Sequence, residues 1–414
     1  MTTFDISARR ACRLLNINKS TYYYKSHVSD FNIALSARIK EIDSVLVRYS
    51  YPRIHVLLRR EGFAVIRRRV YRLNSLQGLN HVVRAGGKCF ALVEGGALPV
   101  EFSYQLDSTV NSDFGGGLTK GFSAHPKADP ATGVLHAIAY QPGQPNIQYF
   151  TIDTNGTAHA VAEISLPHMP EVHDIGLTER SVVILDLPVT FQPWRSEVSS
   201  FPYLWNADQP PRVGLMPRSG DTSKIQWFDA PSCFVFHILN SYDRGDDVII
   251  DVCRHSKMFA TDTRGVNEGR PVLARWTLNR NTSQLVETII EDRGAEFPRI
   301  NDFYQGLAYR FGYTASWREN VQFGPTMKHD LITGTTELHD YGTGRVALEP
   351  VFVPRPGAVA EDDGWVMSFV YDAERNLSDV VLLDAQNLAG APVATVQLPV
   401  RVPFGFHGAW FADA

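Results

Sequence analysis

The chain has 414 residues, of which 44% are hydrophobic and 20% are charged, so its composition is that of an ordinary globular protein. It lacks the roughly 18 consecutive apolar residues of a membrane-spanning helix, its start has no signal-peptide pattern, and its four cysteines form no Cys-x-x-Cys pair. These features exclude a transmembrane helix and argue against a zinc or disulfide framework. They predict a cytoplasmic protein whose cysteines are free thiols.

The net charge of −4 conceals two regions of opposite sign. Residues 1–80 carry 15 Lys and Arg against 5 Asp and Glu, whereas the rest of the chain carries 25 against 39. Two oppositely charged regions in one chain indicate two domains of different origin.

The basic region is predicted to be helical. Its apolar residues recur at near-helical spacing, and Ser20 can cap the helix that follows it. The predicted helices cover residues 6–17, 21–25, 31–47, 54–60 and 65–73. The last of them carries four arginines, Arg67, Arg68, Arg69 and Arg72.

After about Leu79 the pattern changes to short β-rich runs separated by turn residues. Strands flank the turn at Asn155 and Gly156, and similar hairpins are predicted over 276–286, 327–339 and 365–383. Such hairpins are typical of an all-β sandwich, barrel or propeller. A propeller is favoured for a region of more than 330 residues, because it grows by adding blades and not by enlarging one core.

Four of the 13 histidines stand in unusual local settings, where an apolar strand ends and a propeller strand would approach the axis. They are His125, His173, His237 and His407. No two of them have the close spacing of a metal motif, so spacing alone favours hydrogen-bonded histidines in the core. Others, such as His81 and His255, lie where a surface or hydrogen-bonded role is the default.

Seven short blocks resemble the metal-site blocks of carotenoid cleavage oxygenases, and they occur in that family's order. The histidine blocks are Gly121–Pro130, Met169–Asp174, Cys233–His237 and Pro403–Gly408, and the acidic blocks are Ala91–Gly96, Ala295–Arg299 and Leu348–Val353. The resemblance implies that residues 80–414 form a mainly β, seven-bladed β-propeller that is truncated at its N-terminus. It also implies that His125, His173, His237 and His407 bind Fe(2+).

The same resemblance implies a role for three glutamates, Glu94, Glu296 and Glu349. Four neutral imidazoles leave iron dicationic, with open positions for dioxygen and substrate. The glutamates would restore negative charge one layer out, and each would accept the N–H of a ligating imidazole and thereby fix its tautomer. The sequence does not pair them with particular histidines, and a solvated strand end is the ordinary explanation of each glutamate taken singly.

The resemblance implies an iron-dependent dioxygenase. Fe(II) would activate O2, which would split a conjugated double bond of an apolar polyene into two carbonyl products without an organic cofactor. Five aromatic residues near the blocks either line an apolar tunnel for this substrate or pack in the core: Phe234, Phe236, Phe297, Phe404 and Phe406.

Val93 bears on the substrate. Relatives that cleave lignostilbenes resemble one another in placing a lysine directly before the first of the three glutamates, where it meets a phenol. Because this chain has Val93 there, we expect a carotenoid or apocarotenoid substrate and not a phenolic stilbene. Contact with a membrane surface, the double bond that is cleaved and the oligomeric state are left open by the sequence.

Residues 1–79 resemble the helix-turn-helix start of transposases from two-frame insertion sequences. The resemblance rests on Ser7–Leu15, Ser20–Tyr24 and Arg48–His55, with Pro52 in place of the expected arginine. The acidic catalytic core of a transposase does not follow, so transposition is not expected. The surplus of Arg and Lys allows weak DNA contact by residues 6–78, or it forms a solvated helical face.

The two resemblances together predict a fusion. A complete oxygenase carries further strands before the block with Glu94, and a propeller without them would have unpaired strand edges and exposed blade faces. We therefore hypothesise that insertion-sequence DNA joined in frame to a truncated oxygenase gene, which impairs activity. The alternative is an inactive fusion remnant that retains only DNA binding through the N-terminal helices. A compact, cooperatively unfolding monomer would contradict the hypothesis.

Overall fold

The computed structural model describes residues 58–61, 63, 81–92, 98–103, 109–118, 121–197, 201–263, 268–318, 322–402 and 407–412. It divides the chain into two compact units, Met1–Leu76 and Gln77–Ala414. In the first unit residues 58–60 are helical. The other predicted N-terminal helices, and Glu94 in the second unit, lie outside the described residues, and the predicted boundary between residues 79 and 80 stays a prediction.

The second unit is built from antiparallel sheets, which we call blades 1 to 6 in chain order. Blade 1 contains β1 (Val82–Ala85), β2 (Lys88–Ala91), β3 (Val100–Phe102) and β4 (Thr109–Asn111). Blade 2 contains β5 (Lys127–Ala128), β6 (Leu135–Ala139), β7 (Asn146–Ile152) and β8 (Ala158–Ser165). Blade 3 contains β9 (Gly176–Leu177), β10 (Ser181–Asp186), β13 (Arg212–Pro217) and β14 (Gln226–Asp229), while β11 (Val189–Phe191) and β12 (Tyr203–Trp205) form a separate pair.

Blades 4 to 6 continue the same arrangement. Blade 4 contains β15 (Phe234–Arg244), β16 (Asp247–His255), β17 (Val272–Asn279) and β18 (Gln284–Glu291). Blade 5 contains β19 (Ala295–Arg299), β20 (Phe311–Arg318), β21 (Gln322–Asp330) and β22 (Thr335–His339). Blade 6 contains β23 (Arg345–Ala347), β24 (Val351–Pro354), β25 (Gly364–Asp372), β26 (Leu377–Asp384) and β27 (Ala394–Gln397). Three short 3₁₀ helices cover Pro193–Glu197, Thr222–Lys224 and Asp302–Tyr304.

The predicted mainly β propeller is confirmed, and six blades are found within the described residues. The seven-bladed form is therefore not established by these residues. The hairpins predicted from turn residues are present: Gly156, with φ of 83°, turns between β7 and β8, and Gly334, with φ of 72°, turns between β21 and β22. Glycine has no Cβ to clash at positive φ, which is why these positions can reverse the chain.

The hydrophobic core lies between neighbouring blades. One cluster joins blades 1 and 2 through Phe90 and Phe150, and another joins blades 4 and 5 through Leu239 and Met327. The largest cluster spans blades 2 to 4 and includes the fully buried Trp276. Because each blade is buried against the next, the first strands of successive blades are held side by side. Within the described residues no helix is long and apolar enough to cross a membrane.

Candidate metal centre

The four predicted histidines come from different parts of the ring. His125 lies two residues before the first strand of blade 2, and His173 lies three residues before that of blade 3. His237 lies within β15 of blade 4, and His407 follows the last strand of blade 6. The starts of blades 2 and 3 are tied together by a parallel bridge between His125 and Asp174. The fold thus brings residues that are far apart in sequence to one place.

The donor atoms of these histidines converge. One ligand nitrogen from each of the four lies within 4.8 Å of the others. The Nε2 atoms of His125 and His173 are 3.1 Å apart, and those of His237 and His407 are 3.2 Å apart. Nitrogen donors at right angles around a metal, with bonds of about 2.1 Å, lie about 3.0 Å apart. The spacing therefore fits one metal ion, and the chemistry of four imidazoles suits a first-row transition metal.

Burial keeps imidazoles of this cluster neutral. It lowers the pKa of His125 well below the usual value for histidine, and the neighbouring histidines lower it further. Burial also lowers the pKa of His407, although the adjacent Glu349 acts in the opposite direction. A neutral imidazole has one nitrogen with a free lone pair, which is the form that binds a metal.

Three carboxylates lie within hydrogen-bond distance of three of the four rings. Nδ1 of His237 lies 2.6 Å from Oε2 of Glu296, and Nδ1 of His407 lies 3.0 Å from Oε1 of Glu349. Nδ1 of His173 lies 3.2 Å from Oε1 of Glu171. When each Nδ1–H donates to its carboxylate, each Nε2 keeps its lone pair towards the centre.

Glu296 and Glu349 are held as anions although both are buried. Burial alone would raise the pKa of Glu349, but Arg299 and His407 outweigh it and lower that pKa to about 2. Burial likewise opposes ionisation of Glu296, and the pKa of its carboxyl is nevertheless lowered, chiefly by His237 and His255. Each glutamate also anchors the backbone, since Glu349 accepts from the N–H of Gly408 at 2.8 Å and Glu296 from that of Phe297 at 2.6 Å.

A buried ion pair involves Asp174, the residue directly after His173. Lys127 Nζ lies 2.8 Å from Asp174 Oδ1, and the side chain of Asp174 is 1% exposed. Asp174 also accepts from the backbone N–H of Ile238 at 2.8 Å. One carboxylate therefore links the first strands of blades 2 and 4 to the segment that carries His173.

The three glutamates predicted to orient the histidines have different outcomes. Glu296 and Glu349 lie at His237 and His407, whereas Glu94 lies outside the described residues. Among the described residues His125 has no carboxylate partner. The roles of the four histidines as metal ligands and of the glutamates as orienting groups stay predictions. The geometry nevertheless brings together the six described residues of the predicted set.

Sequence reasoning missed three residues at the centre. Glu171 lies in the same block as His173, but the sequence assigned it no role. Its position two residues before His173 allows both side chains to lie on the same side of the chain. His255 donates to Glu296, with Nε2 and Oε1 2.9 Å apart. His81 lies beside His125 and His407. No signal in the sequence marked His81 or His255, since the groups that place them at the centre are distant in sequence: Glu296 for His255, and His125 and His407 for His81.

The three described aromatic residues pack in or against core clusters, and two of them also contact the histidines. Phe234 is fully buried in the largest core cluster, so it packs the core. The Phe236 ring meets the His173 ring edge-on at 5.1 Å. The Phe297 ring lies 5.4 Å from that of His237 and 5.3 Å from that of His407. Phe236 and Phe297 therefore flank the histidines as part of the core packing, whereas Phe404 and Phe406 lie outside the described residues.

Comparison with known proteins gives a consistent result. The family model of RPE65, the retinal pigment epithelial membrane protein, matches residues 66–412. A carotenoid cleavage oxygenase of Mycobacterium tuberculosis is 36% identical over 382 residues, which cover 80% of this chain and 76% of the relative. A carotenoid 9,10(9',10')-cleavage dioxygenase 1 of Arabidopsis thaliana is 30% identical over 322 residues, which cover 73% of this chain and 60% of the relative.

The comparison with solved structures points to the same family as the comparison of sequences. The cobalt-substituted apocarotenoid oxygenase of Synechocystis has a TM-score of 0.74 and 27% identity, with 81% of this chain and 74% of that chain covered. The lignostilbene dioxygenase of Pseudomonas brassicacearum has a TM-score of 0.75 and 28% identity, with 81% and 75% covered.

The family match begins at residue 66, so it overlaps residues 66–79 of the predicted transposase-like segment. The comparisons give no support to a helix-turn-helix fusion or to a remnant that only binds DNA. The prediction of an oxygenase that cleaves carotenoids or apocarotenoids is confirmed at the level of the family. The chain belongs to the RPE65 family, which includes the carotenoid cleavage oxygenases.

Proposed function

We propose that this protein is a non-haem Fe(II) dioxygenase that uses O2 to cleave a conjugated double bond of a carotenoid or apocarotenoid into two carbonyl products. The observation that carries the proposal is the convergence of four histidine nitrogens within 4.8 Å, three of them on rings oriented by buried carboxylates. No anionic side chain is among these four donors, so a bound divalent ion keeps its full charge.

His125, His173, His237 and His407 would hold the iron, which supplies the redox chemistry that activates dioxygen. Imidazole also suits zinc, copper and cobalt, so the choice of Fe(II) is part of the proposal. Glu171, Glu296 and Glu349 hold the Nδ1 protons of their histidines and thereby keep three donor nitrogens aimed at the centre. Phe236 and Phe297 pack beside the rings and would keep water away from them on that side.

The metal content of the purified chain tests the proposal first. We expect about one iron per chain after anaerobic loading with Fe(II), and loss of that iron in His237→Ala. His159→Ala is the matched control, because the side chain of His159 is exposed on β8 and its partner is Asp153. Iron retained by His237→Ala, or no specific iron in the unmodified chain, would overturn the proposal.

An oxygen-dependent cleavage assay tests the substrate class. Val93 in place of lysine favours an apocarotenal over a phenolic stilbene. We expect the iron-loaded protein to convert an apocarotenal to two carbonyl products with consumption of one O2 per cleavage. Much faster turnover of a phenolic stilbene would reject the carotenoid assignment and keep the dioxygenase.

The number of blades, the cellular location and contact with a membrane are further parts of the proposal. We infer a seven-bladed ring, and a cytoplasmic location in which Cys89, Cys233 and Cys253 remain free thiols, as they are in the structure. Peripheral contact with a membrane would deliver an apolar substrate, and the exposed Phe303 and Trp410 support such contact. Flotation of the protein with phospholipid vesicles, compared with Trp410→Ser, checks this contact.

The basic N-terminal segment carries a separate inference. We propose that residues 1–79 are a transposase-like helix-turn-helix segment, of which residues 6–78 make weak, nonspecific contact with DNA. The support is the excess of 15 Lys and Arg over 5 Asp and Glu in residues 1–80. Retention on duplex DNA should then fall steeply between about 50 and 200 mM salt. Retention that salt does not change, or no retention at low salt, would overturn this part.

A further inference from the structure

His81 is a fifth imidazole at the metal centre. It directly precedes β1 of blade 1, and its ring lies 5.8 Å from that of His125 and 5.6 Å from that of His407. It also lines the cavity of about 190 Å³ onto which His125, His237 and His407 open. A side chain from blade 1 therefore reaches the place where the later blades bring their histidines.

His81 stands outside the set of donors. The rings of neighbouring donors lie 4.7 to 5.3 Å apart, whereas His81 is farther from both of the rings it contacts. The four nitrogens that lie within 4.8 Å of one another do not include one from His81. His81 therefore lines the cavity beside the donors without being one of them.

One ring nitrogen of His81 is a candidate partner for a small molecule in this cavity. Nδ1 of His81 is buried and has no hydrogen-bond partner among the described residues. Buried polar atoms in folded proteins nearly always have a partner, so an unpaired one beside a cavity indicates a ligand. An imidazole ring carries at least one N–H in either charge state, so His81 can donate a hydrogen bond.

We propose that His81 is the hydrogen-bond partner of the small ligand, dioxygen or water, that occupies the cavity beside His125 and His407. The inference rests on the proposed function, since it requires an ion at the four histidines. An N–H donor beside a metal site favours a ligand that carries negative charge. Hydrogen-bond donors near a haem iron control its small ligands by the same physics. His81 thus governs how tightly the centre holds a small ligand, while the four other histidines hold the ion.

Azide binding to the cobalt(II)-loaded protein tests this role. We compare the unmodified chain with His81→Leu, which replaces the ring by an apolar side chain of similar size, and with His81→Gln, which keeps a hydrogen-bond donor. Azide affinity is read from the visible absorption of cobalt, and cobalt per chain is measured independently. We expect equal cobalt content in all three proteins, azide binding about tenfold weaker in His81→Leu, and binding within about threefold of the unmodified chain in His81→Gln.

Each other outcome is decisive. Equal azide affinity in His81→Leu and the unmodified chain would overturn the proposal, and so would loss of cobalt from a folded His81→Leu, which would make His81 a ligand of the ion. Circular dichroism and a cooperative unfolding transition establish that each variant is folded, and His159→Leu serves as an exposed control. Failure of the unmodified chain to bind cobalt would reject the metal site itself, and hence the proposed function with it.

Discussion

Replacement of Glu296 by glutamine separates the charge of this residue from its hydrogen bonds. The carboxylate accepts from Nδ1 of His237 at 2.6 Å and from the N–H of Phe297 at 2.6 Å with one oxygen, and from Nε2 of His255 at 2.9 Å with the other. A glutamine oxygen can keep the first two bonds. Its amide group then faces His255, whose ring can change tautomer and accept.

The expected magnitude follows from this geometry. Loss of a carboxylate that orients a ligating histidine lowers metal affinity by about 10- to 100-fold, or about 1.4 to 2.8 kcal/mol. Because Glu296→Gln keeps His237 oriented and removes only the charge, we expect the lower end. Glu349→Gln should reach the upper end, because the Arg299 guanidinium, 3.6 Å from Glu349, would lose its counter-charge beside the ion.

Equilibrium competition between the protein and a chromophoric chelator for cobalt(II) measures both affinities. The matched control is Glu291→Gln in blade 4, because Glu291 is also buried but pairs with Arg293 away from the centre. Wild-type affinity in a folded Glu296→Gln protein would refute the reasoning. A larger loss in Glu296→Gln than in Glu349→Gln would contradict the role given to Arg299.

Three further outcomes follow from the same structure. Glu171→Gln should weaken cobalt binding about tenfold in the chelator competition, because Glu171 is the carboxylate at His173; an effect in Glu94→Gln alone would assign that role to Glu94. The pKa of Glu349 is lowered to about 2, so the contribution of its ionised carboxyl to the free energy of unfolding is full above about pH 4.5 and is lost as the pH falls towards 2. Urea unfolding of the metal-free protein should show this loss as about 3 kcal/mol, and Glu349→Gln should remove this dependence on pH. Phe122→Ala should lower the free energy of unfolding by about 3 to 5 kcal/mol, because Phe122 is fully buried between Phe114 and Phe150; a calorimetric melting temperature equal to that of the unmodified chain would contradict this packing.

The fold could be predicted from the sequence where its determinants are local. Turn residues such as Gly156 and Gly334 mark reversals of the chain, and strands such as β25 alternate buried and more exposed residues. The number of blades could not be predicted, because the blades share no repeated motif and are held together by contacts between sheets.

The metal centre shows the same limit more sharply. Spacing did not identify the histidines, since the partner nitrogens of His237 and His407 are separated by 170 residues in sequence. Only a resemblance that spans the whole unit could group them. Glu171 remained hidden although it lies in the block with His173, and His81 remained hidden because it lies in none of the seven blocks.

The distribution of the donors over the ring also has a consequence for the order of folding. A site that joins segments 48 and 170 residues apart forms only after long loops have closed, which is slow compared with the formation of hairpins within a blade. We therefore expect nearly complete secondary structure to appear in refolding before the chain gains the ability to hold an ion. The time course of metal binding during refolding would then report when the ring closes.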